Sequence, residues 1–187
     1  GGDMRRRAFL FSAGAMLAAP LASEAQAPIR IGASLSRTGA YAALGQNQLR
    51  GYQLCIKQAN EKGGALGRRL ELVVEDDGST AARAIVIYER LVTQAKVDAI
   101  LGPYSSSITE AVADVAEKNR VPLVAPLASA SSIFEKGRKF VFMVQPRAEA
   151  DLEGLIDMAV RRGLKTIAVI HEDTLFPSAS AQGAVAL

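Results

Sequence analysis

The sequence predicts an α/β fold in which helices cover both faces of a parallel sheet. Short apolar runs alternate with stretches of helical periodicity throughout the chain after residue 27. Strict strand–helix alternation with short connections is typical of a parallel sheet. The runs are almost continuously apolar, as expected of strands that are buried on both faces. Right-handed crossovers between them then give an open, doubly wound sheet.

The predicted elements follow one another in a simple order. Six strands are predicted, at residues 29–34, 70–74, 97–101, 122–125, 140–144 and 166–170. Helices fill the intervals, where apolar residues recur at three- and four-residue spacing. The first helix presents Leu49, Tyr52 and Ile56 on one face, and Cys55 lies on the same side. Cys55 is the only cysteine, so we expect it to pack in the core without a disulfide. A last helix is predicted to begin at Ser178.

The N-terminal residues have the pattern of an export signal. Three arginines precede a largely apolar stretch at residues 8–21, and small residues suitable for cleavage follow at Ala25 and Ala27. Cleavage after either alanine fits the pattern, and the arginines fit both an ordinary Sec signal and a twin-arginine signal. We therefore expect a periplasmic protein with a signal peptide at about residues 4–27.

The rest of the chain divides at the interruption after the fifth predicted strand. Residues 28–145 are predicted to form one nearly complete lobe, and residues 146–187 the beginning of a second. One strand and part of a helix cannot bury a core alone. The sequence is therefore expected to be a fragment of a longer, two-lobed protein.

Composition and motifs exclude several classes of function. Aromatic residues make up 5% of the chain, and the net charge of +3 is spread among interleaved acids and bases. Neither feature suits nucleic acid as a partner. The sequence has no glycine-rich dinucleotide or nucleoside-phosphate motif, no nucleophile elbow and no cluster of histidine and cysteine. We therefore predict that the protein is not an enzyme and uses no cofactor.

Two further features have a structural interpretation. His171, the only histidine, follows the sixth predicted strand, and a lone histidine is more often structural than catalytic. Asp76 and Asp77 end the second strand and could suggest a cation site. Without further ligands nearby, they are interpreted as loop or capping residues.

Three predicted loops meet at one edge of the sheet and predict a binding crevice. For the strand order 2-1-3-4-5, ligands bind between the carboxyl ends of the first and third strands. The loops there are residues 36–45 and 103–107, with residues 126–132 adjacent. They are rich in hydroxyl-bearing and turn-forming residues and poor in charge. This composition suits a small zwitterion that is held by hydroxyls and backbone groups.

The serines of the second loop have two possible roles. Ser107 and Glu110 have capping-box spacing, so Ser107 is predicted to cap the helix that follows. Ser105 and Ser106 are then the candidates for carboxylate binding, because a helix N-terminus attracts anions. Spacing alone favours a simple turn or capping role for all three serines.

Several short motifs together resemble the periplasmic leucine/isoleucine/valine-binding protein family, whose members are substrate-binding components of ABC transporters. The resemblance covers nearly everything after the signal. Its motifs lie at residues 31–32, 38–39, 59–64, 74–77, 101–107, 121–129 and 167–172.

The resemblance implies a two-lobed fold that closes on a small ligand by a hinge movement, and delivery to an ABC permease in the inner membrane. The implied ligand is an amino acid of the branched-chain type or a related small carboxylate or amide. A periplasmic sensor of the same fold, acting on a membrane receptor or kinase, is the alternative.

Individual site residues are also implied by this resemblance. Ser106 would bind the ligand carboxylate through its hydroxyl and N–H, while Leu127 would offer its carbonyl and Ser129 its hydroxyl to the ligand's ammonium end. Leu44 and Phe176 occupy positions where branched-chain binders place tyrosines, so both are expected in the pocket wall. This departure weakens the case for leucine in particular.

Overall fold

The computed structural model describes residues 26–187. The predicted signal peptide therefore lies outside the described residues, apart from Gln26 and Ala27. Five parallel strands form one sheet in the order β2-β1-β3-β4-β5. The strands are β1 (Ile29–Leu35), β2 (Leu70–Asp76), β3 (Ala99–Leu101), β4 (Leu123–Ala125) and β5 (Val141–Met143). The predicted fold class is confirmed, and the strand order is the one on which the predicted crevice depends.

Five α-helices accompany the sheet. They are α1 (Ala42–Glu61), α2 (Ala81–Thr93), α3 (Ser106–Asn119), α4 (Glu153–Arg161) and α5 (Leu175–Ala186). Two short 3₁₀ turns span Ser131–Ile133 and Ala148–Ala150. No helix among residues 26–187 is both long enough and apolar enough to cross a membrane.

The sheet separates two apolar clusters. The larger cluster packs α2 and α3 against one face, with Tyr88, Leu91 and Val112 fully or almost fully buried. The smaller cluster joins α1 to the other face through Leu35 and Tyr52. Burial on both faces explains why the strands are continuous apolar runs.

A polar clamp fixes the loop that leaves β1. The buried Asp77 carboxylate accepts hydrogen bonds of 2.7 Å from the hydroxyls of Ser34 and Ser36. Asp76 accepts the backbone N–H groups of Arg37 and Thr38 and the Thr38 hydroxyl. The two carboxylates therefore have a structural role, as the sequence predicts. No group of acids, histidines or cysteines in the described part of the chain could hold a metal ion.

Two predictions of burial are wrong, one for a strand and one for a side chain. The sixth strand, predicted at residues 166–170, does not form, and that stretch is irregular and exposed. A strand needs a hydrogen-bonded neighbour, and none of the described strands lies beside this one. Cys55 is exposed, because the buried positions of α1 are Gly45, Gln48 and Tyr52, and Cys55 lies beyond them toward the helix end.

Two predicted helix starts also shift. The last helix begins at Leu175, three residues before the predicted Ser178, with Pro177 in its first turn, where the missing N–H costs nothing. Helix α3 begins at Ser106 with Ser105 as its N-cap, so Ser107 is not the cap. The Ser107 hydroxyl instead accepts the N–H of Leu175 at 3.3 Å.

Candidate functional site

A cavity of about 310 Å³ opens where the chain leaves β1, β3 and β4. The three loops that the sequence predicts at the crevice each contribute to it. Its lining residues before the end of β5 are Tyr41, Tyr104, Ser105, Ser106, Ser107 and Leu127. Those after β5 are Gln145, Asp151, Glu172, Thr174, Phe176 and Pro177. The cavity therefore lies between the sheet edge and the C-terminal segment of the chain.

Buried hydroxyls hold the end of β3, from which the serine loop departs. The Tyr52 hydroxyl donates to the Gly102 carbonyl at 2.9 Å, and Gln48 Nε2 donates to the same oxygen at 3.0 Å. The Tyr88 hydroxyl donates to the Leu101 carbonyl at 2.6 Å and accepts the Ser34 N–H. Burial raises the pKa of both tyrosines, so both remain neutral donors.

The three serines at the start of α3 have three different surroundings. Ser105 is the N-cap, in an extended conformation. Ser106, which is 3% exposed, accepts the Ser129 N–H on its Oγ at 3.2 Å. Ser107 contacts the first residue of α5. All three serines line the cavity, and the first N–H groups of a helix such as α3 lack intrahelical acceptors.

The bond to Ser129 fixes what the Ser106 hydroxyl can do. A serine hydroxyl has one donor hydrogen and two acceptor lone pairs. The Ser129 N–H occupies one lone pair, and within the described residues the Ser106 hydrogen has no acceptor. Ser106 can therefore donate to an oxygen that enters the cavity. With the positive end of the α3 dipole behind it, the site suits a carboxylate.

The other predicted site residues have different positions. Leu127 and Phe176 line the cavity. Ser129 is 1% exposed and lies behind the lining, where its N–H contacts Ser106 and its carbonyl accepts the Ala148 N–H. Leu44 is 42% exposed and lies outside the lining, because the chain presents Tyr41, almost one helical turn earlier, to the cavity.

Sequence reasoning missed an aromatic pair in the cavity wall. The rings of Tyr41 and Tyr104 are tilted by 49°, with centroids 5.6 Å apart. Both residues lie in loops that the sequence assigns to the crevice. Their contact depends on how two distant loops are folded, so the sequence offered no direct signal for it.

Acidic residues on the far wall were also missed. Asp151 and Glu172 line the cavity on the side of the C-terminal segment. His171, next to Glu172, is exposed and outside this lining. The wall from α3 thus offers hydroxyl and N–H donors, and the facing wall offers carboxylates.

Close packing at Gly183 positions α5 beside the cavity. A Cβ atom on Gly183 would lie 1.9 Å from the backbone oxygen of Glu149, so only glycine allows this approach. The Glu149 carboxylate in turn accepts the N–H and hydroxyl of Ser131, at 3.2 and 2.8 Å. Helix α5 is therefore connected to the loop after β4 through the 3₁₀ turn that contains Glu149.

Comparisons with known proteins agree with this architecture. A family model described as periplasmic binding protein matches residues 28–187. The leucine-, isoleucine-, valine-, threonine-, and alanine-binding protein of Pseudomonas aeruginosa is 31% identical over 170 residues, which are 90% of this chain and 45% of that protein.

Two solved structures show the same fold. The leucine binding protein LivK of Thermotoga maritima has 28% identity and a TM-score of 0.76, covering 84% of this chain and 45% of that one. The branched-chain amino acid transporter substrate binding protein LivJ of Streptococcus pneumoniae, in complex with isoleucine, has 31% identity and a TM-score of 0.63. That match covers 70% of this chain and 39% of LivJ. The chain thus spans less than half the length of these relatives.

These matches confirm the predicted resemblance. Periplasmic binding proteins bind ligands and are not enzymes, so the predicted absence of catalysis is confirmed at the level of the family, which also implies a periplasmic location. The family model matches most residues of the chain, and the chain therefore belongs to the periplasmic binding protein family.

Proposed function

We propose that the protein is the substrate-binding component of an ABC transporter and captures an amino acid, or a related small carboxylate or amide, in the periplasm. The observation that carries this proposal is the Ser106 hydroxyl, held by Ser129 with its hydrogen directed to no protein acceptor, at the N-terminus of a helix that borders a cavity. The cavity volume of about 310 Å³ suits a ligand the size of an amino acid.

The charge distribution favours a zwitterion within this class. A carboxylate would contact Ser106 and the first-turn N–H groups of α3. An ammonium group at the other end would face Asp151 and Glu172, and the Leu127 carbonyl is a further acceptor in the wall. The rings of Tyr41 and Phe176 would contact the ligand's side chain. Polar ends and an aromatic middle match an amino acid better than a plain carboxylic acid.

Hinge closure is the proposed mechanism. The lining divides between residues before and after β5, and the chain crosses from one group to the other near Pro146. Ligand would bind first to the α3 wall, and the later residues would then close over it and exclude water. The division into lobes at residues 145 and 146 is part of this proposal. Delivery to a permease of the inner membrane would follow closure.

Calorimetric titration of the protein expressed from its complete coding region tests the proposal. The ligand series is leucine, leucinamide, which lacks the carboxylate, and 4-methylpentanoate, which lacks the ammonium group. Alanine, threonine, phenylalanine and 4-hydroxybenzoate extend the range of side chains. We expect an amino acid to bind more tightly than its amide and its deaminated analogue. If no amino acid, amide or carboxylate binds, the proposed function is wrong.

Substitution Ser106→Ala tests the assigned contact. Removing one charge-assisted hydrogen bond should weaken the binding of carboxylate-containing ligands by about 1.5–3 kcal/mol. Ser132→Ala is the matched control, because Ser132 is exposed and lies outside the cavity lining. Leucinamide should lose much less affinity than leucine in the Ser106 variant. Equal affinity of leucine for the wild type and for Ser106→Ala would refute the role of Ser106.

A further inference from the structure

A second concave surface lies along the loop that follows β1 and shares no lining residue with the ligand cavity. Its volume is about 560 Å³, and its lining residues are Arg37, Thr38, Gln46, Leu49, Arg50 and Asp76. We call it the arginine groove. Neither Arg37 nor Arg50 has an acidic partner at ion-pair distance within residues 26–187. The groove therefore presents two guanidinium groups that the described structure does not neutralise.

The single acid of the groove is already engaged by the protein. The Asp76 carboxylate accepts four hydrogen bonds, from the N–H groups of Arg37, Thr38 and Gly78 and from the Thr38 hydroxyl. Its oxygens are thus directed at the loop rather than at the arginine side chains. A third guanidinium group is close by, because a Cβ on Gly78 would lie 3.2 Å from Nη1 of Arg83. The groove lining itself carries two cationic side chains and one acidic side chain.

The loop that carries Arg37 is held on both sides. Asp76 and Asp77 bind its first residues, and a Cβ on Gly45 would lie 2.1 Å from the Ser36 oxygen. A Cβ on Gly39 would similarly meet the Gly78 oxygen at 2.6 Å. The backbone beneath Arg37 is therefore fixed, and the Arg37 side chain extends from a rigid base. A fixed backbone at this point reduces the entropy that the loop loses when an anion binds.

The groove and the ligand cavity share this loop. Arg37 and Thr38 line the groove, and Tyr41 lines the cavity. Both surfaces lie beyond the carboxyl end of β1. A protein that docked on the groove would therefore sit beside the ligand cavity, where a partner that receives the ligand has to be.

We propose that the arginine groove is a docking surface for acidic side chains of a membrane-embedded partner, which, resting on the proposed function, is the permease. Carboxylates are the groups that guanidinium forks bind in bidentate fashion, and Gln46 adds a side-chain amide at the same place. Side chains that protrude from a protein can enter a concave groove, whereas a lipid surface is flat on this scale. The contact is electrostatic, so it sets partner choice and association rate.

The test measures binding of a fluorescent hexaglutamate peptide to protein expressed from its complete coding region. The variant is R37Q/R50Q, which removes both charges but keeps long polar side chains. The matched control is R161Q/R162Q, which removes two exposed arginines at the end of α4. Vesicles of phosphatidylglycerol, with phosphatidylcholine vesicles as reference, probe the lipid alternative. Titration with leucine monitors the ligand cavity in every protein.

We expect the peptide to bind the wild type and the control variant, and to bind R37Q/R50Q at least about tenfold more weakly. Added salt should weaken the wild-type complex. Leucine affinity and melting temperature should be equal in all three proteins. If the double variant does not fold, R50Q alone, on the exposed surface of α1, replaces it, with a smaller loss expected.

Peptide binding that is absent, or equal in R37Q/R50Q and the wild type, would overturn the proposal. Arginine-dependent binding of phosphatidylglycerol vesicles without binding of the peptide would also overturn it, in favour of a lipid contact. The two proposals fail separately. If no protein binds an amino acid but the peptide still requires Arg37 and Arg50, the groove remains a docking surface and the transport function is wrong.

Discussion

The chain is packed very differently before and after Pro146. Residues 29–143 contain all five strands, and their apolar side chains are largely covered, as for Ile100 at 0% exposure. In residues 161–173 every residue is exposed, and Ile170 reaches 96%. Helix α5 then packs back onto the 3₁₀ turn at Ala148–Ala150. The first region supplies one wall of the cavity from a continuous core, and the second supplies the other wall from α5, Asp151 and the exposed stretch that includes Glu172.

This difference bears on the proposed hinge closure. In the proposed function the wall at α3 binds the ligand carboxylate and has to be formed before ligand arrives. Ser106 is held by Ser129, and the buried tyrosines hold the end of β3. In the proposed closure the facing wall moves, and the exposed residues 161–173 are the part of the second region that should move most easily. The four predictions that follow alter one region or the other, from the largest expected effect to the smallest.

Removing the buried carboxylate in Asp77→Ala should destabilise the sheet region most. The change leaves the Ser34 and Ser36 hydroxyls buried without their acceptor, and we expect a loss of about 3 kcal/mol in the free energy of unfolding. Urea denaturation followed by circular dichroism measures it. Asp173→Ala, at an exposed position, is the control and should change the unfolding free energy by less than about 0.5 kcal/mol. Equal effects in the two variants would contradict the structural role of Asp77.

Gly183→Ala should act on the second region. The added methyl group would collide with the Glu149 backbone, so α5 has to shift, at a cost of about 1–3 kcal/mol. Ligand affinity should also fall, because Phe176 and Pro177 line the cavity from α5. Gly154→Ala is the matched control, since a Cβ there meets nothing within 4 Å, and it should stabilise α4 by about 0.5–1 kcal/mol. Equal outcomes for the two glycines, by thermal melting and calorimetry, would refute the close approach.

Acid should weaken both regions through hydrogen-bonded carboxylates. Partial burial alone would raise the pKa of Asp76, Glu110 and Glu149, but hydrogen bonds outweigh it and the pKa of each is lowered. For Asp76 the donors are Gly78, Thr38 and Arg37, and for Glu110 they are Arg138 and Lys136.

A carboxyl group with a lowered pKa in the folded state stabilises the protein fully above its unfolded pKa. It loses that contribution as the pH falls through the folded value. Stability should therefore be constant near neutral pH and should fall below the ordinary values of 4.5 for Glu and 3.8 for Asp. Urea titrations from neutral to acidic pH measure this. In Asp76→Asn the free energy of unfolding should fall less steeply as the pH is lowered. An unchanged dependence on pH in that variant would contradict the stabilising role of the Asp76 carboxylate.

Ile170→Ser should have the smallest effect. The side chain is 96% exposed, so the free energy of unfolding should change by less than about 0.5 kcal/mol. Ile100→Ser, in the core of β3, is the contrasting variant and should be strongly destabilising. A loss of several kcal/mol in Ile170→Ser would mean that residues 166–170 do pair as a buried strand.

The sequence predicted the sheet region well because its signals are local. Continuous apolar runs and helical periodicity gave five strands and their helices, and the crossovers followed from general topology. The sixth run has the same apolar pattern as the others. A local pattern reports the preference for burial and not whether a neighbouring strand is present, so the prediction failed there.

The part of the site that one loop forms could be predicted from the sequence. The parts that depend on contacts between two distant segments could not. The serine loop could be recognised from residues 101–110 alone, but the roles of its serines depend on distant groups. Ser106 contacts Ser129, and Ser107 contacts Leu175, 68 positions away. Asp151 and Glu172 enter the cavity because α5 packs back at Gly183, a contact for which the sequence offers only an ordinary glycine.

The start of α3 makes the site sensitive to insertions in a way that point substitutions would not reveal. Consecutive residues on a helix point about 100° apart, so Ser106 and Ser107 reach two different neighbours, Ser129 and Leu175, from a single turn. Inserting one residue before Ser105 would replace both contacts at once, although three serines would still be present. At this position the length of the loop should therefore matter more for the contacts than the identity of each residue.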